Sequence, residues 1–323
     1  MITRKDVADL ACVSKTTVTR VLSGKGYVSE ESRKRVQDAV AQLNYIPNNI
    51  AKNLNRTLSN IIAVLVEDLT NQYYMQIIDS MNQEAMKHGL MVSVFSINRN
   101  NINSVIESLI SNRVCGIVNL ALYTCDYKYI KLLKDLDVFL INLEGGNSLV
   151  LNYEPGIVEV FKRLKETGKT RVAFFAGVNR EMAEADSRYM IYRKCVKEFG
   201  FIDDEDFVVF GDYPEEDAFS VGRRSVRAFY EKKDKVDAIL CLNDVVAVGV
   251  MRELWGMGIK IPEQVSVIGC DNIITSAYMT PPLASLDIDK ETQGKVFVEN
   301  TINRAKQKKY VFNAQLIKRE SLI

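Results

Sequence analysis

Two groups of polar residues in this 323-residue chain have types and spacings that could do chemistry. The first lies in the segment KTTVTRVL at 15–22, where apolar residues recur at intervals of three and four. As a helix, this segment would place Lys15, Thr16 and Arg20 opposite its apolar face. A guanidinium can donate two hydrogen bonds to guanine, and a threonine hydroxyl can reach base edges or phosphates. The pattern predicts a DNA-reading helix, although a solvated helix face is the alternative.

The second group consists of polar residues that follow short apolar segments. Asp68, Asn142, Asn243 and Asp271 each stand at or just after the end of such a segment. If these segments are parallel strands, their carboxyl ends share one edge of a sheet, and ligands bind there. At any one position an ordinary helix cap or turn residue is the alternative. Several of them together predict a binding crevice.

An arginine and two tyrosines would complete this crevice. Asp271, Asn243 and Arg188 offer donors and acceptors suited to vicinal hydroxyls. Tyr73 and Tyr213 offer flat apolar faces for a sugar ring or a base, although either could serve only in packing. The residues alone therefore predict a small polar ligand with an apolar face.

Three helices are expected to position the first group. Thr3, Ser14 and Ser29 are typical amino-terminal caps, and Gly24 and Pro47 are typical stops. Beyond them, the polar segment 48–59 has the apolar spacing of one short amphipathic helix, which would be marginal in isolation.

From residue 61 onward, short apolar segments alternate with amphipathic stretches of 10 to 18 residues. This alternation is typical of βαβ units and parallel, doubly wound sheets. The number of segments predicts an α/β core with two such sheets, divided near residues 150–155. The predicted strands are 61–66, 91–95, 116–120, 138–142, 171–177, 207–210, 238–242 and 265–269.

The distribution of charge supports a polyanion-binding amino terminus. Residues 1–59 carry 10 Lys and Arg against 5 Asp and Glu, whereas the rest of the chain carries 32 against 36. The first residues lack the apolar core of a secretory signal and no apolar run is long enough to span a bilayer, so we expect a cytoplasmic protein. The six cysteines are scattered, which predicts reduced thiols and no metal site.

The segments TRKDVADLACVSKTTVTRVLSGKGYVSEESRKRV and LNYIPNNIAKNLN resemble the lactose/galactose-repressor (LacI/GalR) family of bacterial transcription regulators, and a weaker likeness extends to the terminal LIKRES. The resemblance implies that Lys15, Thr16 and Arg20 contact bases. It implies a hinge helix at 48–56 that orders on operator DNA, with Leu54 wedged into the minor groove. Cys12 replaces the Gly or Asn usual in the family's turn. The resemblance implies four further DNA-binding residues that hold phosphates or frame the helices, namely Thr3, Ser14, Thr17 and Tyr27. Asn49 is a further implied DNA-binding residue.

The rest of the chain resembles the family's periplasmic-binding-protein-like core, in which two lobes close over an effector. The segment DLTNQYY at 68–74 corresponds to the family's D-x-x-N-P-F-F pattern, with Gln72 in place of the usual Pro. Ile191, Ile288 and Lys169 also depart from residues common in the family, which limits any narrower assignment. A sugar or sugar derivative is the first candidate effector, and a purine or nucleoside the second. The implied effector-binding residues are Asp68, Tyr73, Tyr74, Asn142, Arg188, Tyr213, Asn243 and Asp271.

The predicted organisation follows from both the pattern and the resemblance. An all-α helix-turn-helix headpiece at 1–47 and a hinge at 48–59 precede a core at 60–323. The first lobe is expected at about 60–152 and 284–310, and the second at about 153–283 and 311–323. A homodimer would set two headpieces on pseudo-palindromic double-stranded DNA, and the absence of a terminal leucine heptad favours a dimer over a tetramer. Effector binding would then change whether the hinge helices form, and the sugar-like pocket favours an inducer.

An enzyme is the main alternative class. The sequence contains none of the glycine-rich phosphate loops, nucleophile elbows or paired-histidine motifs that mark common catalytic sites. The single histidine, His88, is expected at a helix end in solvent. We therefore predict no catalytic residue and no cofactor. A cytosolic sugar-binding protein or a carbohydrate-active enzyme is the alternative outside the regulator class, but neither needs a basic headpiece.

Overall fold

The chain divides into two compact units, Met1–Ser59 and Asn60–Ile323. The computed structural model describes residues 2–24, 26–45, 58–121, 123–142, 148–213, 215–232, 236–304 and 309–322. The predicted hinge helix, with Asn49 and Leu54, and the predicted stop at Pro47 lie outside these described residues.

In the described part of the first unit, three helices are present: α1 at Arg4–Leu10, α2 at Lys15–Ser23 and α3 at Glu30–Gln42. Their core contains one fully buried valine from each helix, Val7, Val18 and Val36. The third helix ends at Gln42, before the proline that was predicted to stop it, and the chain then turns so that Tyr45 enters the core. Leu10 of α1 is 44% exposed, whereas Ala8 and Ala11 are buried with Val7.

The second unit begins with a four-stranded parallel sheet in the order β2-β1-β3-β4. The central strand β1 is almost completely buried, as expected for a parallel strand covered by helices on both faces. The elements of this first lobe are β1 at Ile61–Val66, α4 at Gln72–Lys87, β2 at Met91–Ser96, α5 at Ile102–Ser111, β3 at Gly116–Asn119, α6 at Tyr127–Asp135 and β4 at Phe139–Ile141.

The second lobe is a six-stranded sheet in the order β12-β10-β9-β8-β6-β7, parallel except for the edge strand β12. Valine, isoleucine and phenylalanine side chains fill its two faces. Its elements are α7 at Glu154–Glu166, β6 at Val172–Phe175, α8 at Arg180–Ala185, α9 at Ser187–Phe199, β7 at Val208–Val209, α10 at Ala218–Lys232, β8 at Ala238–Cys241, α11 at Asp244–Gly256, β9 at Ser266–Cys270, β10 at Ala284–Asp287 and β12 at Gln315–Ile317.

Three segments carry the chain between the lobes. Strands β5 at Ser148–Asn152 and β11 at Lys309–Asn313 pair in parallel as a separate ribbon, and α12 at Lys290–Asn303 packs against α4 of the first lobe. Because β10 belongs to the second sheet, the chain returns to the first lobe at about Lys290, later than the predicted boundary at 284.

The architecture confirms the predicted α/β class with two doubly wound sheets and an all-α headpiece. Among the described residues, no helix is both long and apolar enough to cross a bilayer.

Candidate functional site

The helix α2 of the first unit has the capping that its sequence predicts. The Ser14 side chain accepts a hydrogen bond from the backbone N of Thr17 at 3.1 Å, and the two hydroxyls lie 2.9 Å apart. Gly24 ends the helix in the left-handed region, with φ of 66°. Ser14 and Thr17 therefore fix where the helix starts, which supports a framing role for both.

One exposed face of α2 carries Lys15, Thr16 and Arg20, while Val18 on the opposite face is buried. The side-chain stem of Arg20 lies along Gly26, where an added Cβ would be 3.5 Å from the arginine Cδ. A side chain at position 26 would therefore contact the arginine stem, and Arg20 itself is exposed. The side chains of this face are exposed in the folded helix, so their hydrogen-bond donors could reach the major groove of DNA without a change in the fold.

The remaining described residues of the predicted DNA surface surround this helix. Thr3 donates from its backbone N and from its hydroxyl to the Asp6 carboxylate, at 2.6 and 2.8 Å, and these bonds lower the pKa of Asp6. Tyr27 is 89% exposed, so its ring is available to a partner. Cys12 adopts φ of 51° in the turn between α1 and α2, so the turn forms despite the unusual residue.

In the second unit, a cavity of about 250 Å³ is lined by residues from both lobes. Its walls come from the start of α4 and the ends of several strands, as expected for parallel sheets. The cavity brings together seven of the eight residues that the sequence predicted for an effector site: Tyr73, Tyr74, Asn142, Arg188, Tyr213, Asn243 and Asp271.

Asp68 is the predicted residue that does not line this cavity. Its Oδ1 atom accepts hydrogen bonds from the backbone N and the hydroxyl of Thr70, at 2.7 and 2.6 Å. The carboxylate therefore closes the turn before α4, which is a common use of aspartate in loops. The prediction that Asp68 faces the effector is not supported by this geometry.

Arg188 is held by an ion pair inside the cavity wall. Its Nε and Nη2 atoms donate to the two carboxylate oxygens of Asp186 at 3.0 and 2.7 Å, and Nη1 donates to the carbonyl of Leu242 at 2.8 Å. The guanidinium carbon also lies 4.9 Å from the centre of the Tyr153 ring. Burial opposes the charge, but the Asp186 carboxylate outweighs it and raises the pKa of Arg188 well above its ordinary value. The positive charge is thus compensated within the protein.

The carboxyl group of Asp271, in contrast to the Arg188 guanidinium, is held mainly in its uncharged form. Burial raises the pKa of its carboxyl to about 8, although Arg188 lowers it, and nearby Asp244 raises it further. The backbone has φ of 105°, and Lys290 donates from Nζ to the Asp271 carbonyl at 2.6 Å. Near neutral pH the side chain is therefore largely a carboxylic acid, which can both donate and accept a hydrogen bond.

Two asparagines supply further donors. The Asn243 side-chain oxygen accepts from the backbone N of Val246 at 2.8 Å, and this bond caps α11. The Asn142 oxygen accepts from the backbone N of Leu149 at 2.9 Å. Each oxygen already accepts one backbone hydrogen bond, which favours the amide nitrogen as the group that could donate to a ligand.

Aromatic and aliphatic side chains form the rest of the lining. Tyr73 and Tyr74 meet edge to face at 5.5 Å between ring centres, and the Tyr74 hydroxyl donates to Glu67 at 2.7 Å. Asp186 and Tyr153 were not predicted from the sequence. Asp186 could have been found from its position two residues before Arg188, whereas no local sequence pattern marks Tyr153 as a neighbour of Arg188. The other lining residues that were not predicted are Asn71, Leu120, Leu149, Leu151, Val178, Met182 and Leu242.

Comparisons with known proteins find relatives for both the headpiece and the core of the chain. Residues 3–48 match the family model "Bacterial regulatory proteins, lacI family", and residues 161–322 match "Periplasmic binding protein-like domain". A Vibrio campbellii protein named HTH-type transcriptional repressor PurR is 30% identical over 320 residues, which cover 96% of this chain and 94% of that protein. A repressor of the same name from Aliivibrio salmonicida is 28% identical over 318 residues, which cover 95% and 93% of the two chains.

Solved structures share the fold over nearly the whole length. The Lac repressor bound to ONPG has a TM-score of 0.83 at 24% identity, with 99% of each chain covered. The regulator CelR in complex with cellobiose has a TM-score of 0.71 at 23% identity, with 99% of this chain and 100% of that chain covered. Together with the sequence relatives, these likenesses confirm the resemblance seen in the headpiece motif. The chain belongs to the lacI family of bacterial regulatory proteins and is a DNA-binding transcription regulator.

Proposed function

We propose that this protein is a repressor whose affinity for operator DNA is controlled by a small, uncharged, hydroxyl-rich molecule, a sugar or sugar derivative, bound in the cavity between the lobes. It acts as a homodimer on a pseudo-palindromic duplex, because two-fold pairing presents two headpieces to two half-sites. The ligand acts as an inducer. We assign no catalytic role to the chain.

The observation that carries this proposal is the charge balance of the cavity. Among the described lining residues, Arg188 is the one cation, and Asp186 already holds two of its nitrogens. Asp271 is largely uncharged near neutral pH. A phosphate or carboxylate would therefore find no uncompensated positive charge in this wall, whereas hydroxyl groups find both donors and acceptors.

The size of the cavity restricts the ligand further. About 250 Å³ is below the roughly 300 to 1,000 Å³ of sites for drug-sized molecules, so one sugar ring or one small heterocycle suits it. Among proteins of the same fold, the CelR structure holds cellobiose, and an Enterococcus faecium regulator of this family was solved with ribose. These neighbours support a carbohydrate as the first candidate.

A purine or nucleoside is the second candidate. Tyr73, Tyr74 and Tyr213 all line the cavity, and flat aromatic faces suit a base as well as a sugar ring. The amide nitrogens of Asn142 and Asn243 could donate to ring nitrogens or carbonyl oxygens. Direct binding measurements with both classes of compound separate the two candidates.

On the DNA side, we propose that Lys15, Thr16 and Arg20 contact base edges from the exposed face of α2. Thr3, Ser14 and Thr17 frame the helices or hold phosphates, and the exposed Tyr27 reaches the backbone of the duplex. Asn49 and Leu54, which lie outside the described residues, stay part of the proposal as hinge contacts with the minor groove.

A pair of arginine variants tests both halves of this function. Arg20→Ala should weaken binding to a selected duplex by about 1 to 3 kcal/mol and leave binding to random DNA almost unchanged, because only a base contact distinguishes the two. Arg188→Ala should abolish the thermal shift given by a sugar or nucleobase but keep duplex binding. Arg180→Ala, an exposed arginine on α8, is the matched control for the second variant and should change neither property.

The assignment fails if the two variants do not separate the functions. An equal loss on selected and random DNA would remove Arg20 from base reading. A thermal response that survives in Arg188→Ala would remove this arginine from the effector site. A wild-type protein that binds neither sugars nor nucleobases would overturn the proposed ligand classes.

A further inference from the structure

Gln72, which does not line the candidate effector cavity, makes a contact between the two lobes. Its side-chain Oε1 atom accepts two hydrogen bonds from Thr275, one from the backbone N and one from the hydroxyl, both at 3.2 Å. Gln72 begins α4 in the first lobe, and Thr275 lies in a short 3-10 helix at Ile274–Tyr278 in the second lobe. The contact therefore joins the two lobes directly.

Both ends of this contact adjoin the cavity. Tyr73 follows Gln72 in the chain and lines the cavity from the first lobe, and Asp271 lines it from the second lobe four residues before Thr275. Gln72 itself, with Asn272 and Ile274, lines a separate groove of about 680 Å³. The Gln72 contact thus lies close to the cavity walls of both lobes.

The second-lobe end of the contact is rigidly supported. The fully buried Asp244 accepts hydrogen bonds from the backbone N of Ile273 at 2.9 Å and from the Ser276 hydroxyl at 2.6 Å. Its other oxygen accepts from the Ser285 hydroxyl at 2.6 Å. These bonds hold the segment on both sides of Thr275, so Gln72 is anchored to a fixed point of the second lobe.

The first-lobe end is fixed as well. Asn71 caps α4 by accepting from the backbone N of Tyr73 at 3.0 Å, and the helix packs closely on α12, where Gly294 faces Ser80. The family pattern has proline at the position of Gln72. Proline suits the first turn of a helix equally well, but it has no side-chain oxygen that could accept a hydrogen bond. The helix does not need a glutamine here, whereas the contact between the lobes does.

We propose that Gln72 is a positioning residue that latches the two lobes in the arrangement seen here and so sets the resting balance between the conformations that bind and release DNA. This inference rests on the proposed effector-controlled function. Two uncharged hydrogen bonds of this kind shift such a balance by about threefold to tenfold in total. The latch would tune the response without touching the effector.

The test compares four variants in the full-length protein. Gln72→Ala removes the acceptor of both hydrogen bonds, and Gln72→Pro does so while keeping a residue suited to the helix start. Thr275→Val removes the hydroxyl donor and keeps the backbone donor. Gln83→Ala is the matched control, because Gln83 lies on the same helix and its hydrogen bond within the described part of the chain goes to Asp79, four residues earlier.

Two measurements need no identified effector. Hydrogen exchange in peptides spanning 271–278 should speed up about threefold to tenfold in both Gln72 variants, because the Thr275 N–H loses its acceptor. Affinity for a duplex selected from a random-sequence library should change by a similar factor, in the same direction for both variants and by less for Thr275→Val. Gln83→Ala should match the wild type in both measurements.

A double variant gives the decisive comparison. If the latch is one contact, Thr275→Val should add nothing further in the Gln72→Ala background. Additive effects, wild-type duplex affinity in the Gln72 variants, or an equal change in Gln83→Ala would each overturn the latch. Failure of the wild-type protein to select any duplex would instead overturn the proposed function, so the two failures are distinguishable.

Discussion

Asp271 shows how the folded chain gives one residue a chemistry that its type does not suggest. An aspartate in water is ionised at neutral pH, but here burial raises the pKa of the carboxyl to about 8. Arg188 does not cancel this effect because Asp186 shares its charge. The hydroxyl group of the proposed ligand would therefore meet a carboxylic acid, which can both donate and accept a hydrogen bond.

This pKa predicts a dependence of stability on pH. Between about pH 4 and pH 8 the folded chain keeps a proton on Asp271 that the unfolded chain has lost, so the free energy of unfolding should fall as the pH rises through this window. Asp244, whose pKa burial raises to about 6, contributes in the same direction but only at lower pH. From pH 6 to pH 8, Asp271→Asn should remove up to about 1.4 kcal/mol per pH unit of this slope.

Urea unfolding of the wild type and Asp271→Asn at pH 6, 7 and 8 measures that slope. The groups that face Asp271 and influence its pKa, namely Arg188, Asp244, Lys290 and Asp186, are unchanged in the variant. Parallel curves for the two proteins would contradict the prediction, because they would mean that the Asp271 carboxyl is already ionised at pH 6.

At the residue scale, the sequence predicted seven of the sixteen residues that line the candidate cavity, and the failures have physical causes. Asn142, Asn243 and Asp271 could be found because the ends of parallel strands face one crevice. Asp68 follows a strand in the same way, but its carboxylate is consumed by the turn with Thr70. Tyr153 could not be found, because its place beside Arg188 depends on how α7 packs and not on any local pattern.

At the scale of elements, the eight strands that the sequence predicted all form, with ends that differ by up to two residues. Strands β1, β3, β6, β8 and β9 are mainly apolar segments that are almost entirely buried, which gives a strong local signal, whereas β2 is only half-buried or exposed. The strands that escaped prediction are β5, β10, β11 and β12. Strand β5 is only half-buried, β11 alternates exposed and half-buried residues, and β12 has three residues at a sheet edge, so their pairing is decided by tertiary contacts.

The close packing of α4 on α12 yields a prediction at this scale. A Cβ on Gly294 would lie 2.6 Å from the Ser80 Cβ and 2.7 Å from the Ile77 carbonyl oxygen, so the two helices must separate to admit it. Gly294→Ala should lower the free energy of unfolding by about 1 to 3 kcal/mol. Urea or thermal unfolding of the purified variant measures this loss.

Gly256 provides a matched control on α11. A Cβ there would meet only the flexible end of Arg252 at 3.7 Å, which is an ordinary contact. Gly256→Ala should be neutral or stabilise the protein by up to about 1 kcal/mol, because alanine favours helix more than glycine does. Equal stability of the two variants would show that the helices α4 and α12 are not packed as closely as described.

At the scale of the whole molecule, charge and ligand chemistry are divided between the two units. The basic first unit presents α2 with its exposed Lys15, Thr16 and Arg20, and the acidic second unit contains the candidate effector cavity. Sequence composition revealed this division, because the charge asymmetry appears as soon as the chain is cut at residue 59. How strongly the units are coupled is a thermodynamic quantity, and neither composition nor the geometry of one unit contains it.

That coupling can be measured from either end, and the two results must agree. If a sugar lowers the affinity for the selected duplex by a given factor, then the duplex must lower the affinity for that sugar by the same factor, since both describe one thermodynamic cycle. Couplings in proteins of about 1 to 3 kcal/mol correspond to roughly fivefold to 150-fold. We expect a factor in this range from duplex titrations at saturating sugar and from sugar titrations at saturating duplex, using the sugar that gives the largest thermal shift. A sugar that binds the cavity but leaves duplex affinity unchanged would contradict the proposed control of DNA binding, because it would show that the effector does not distinguish the two conformations.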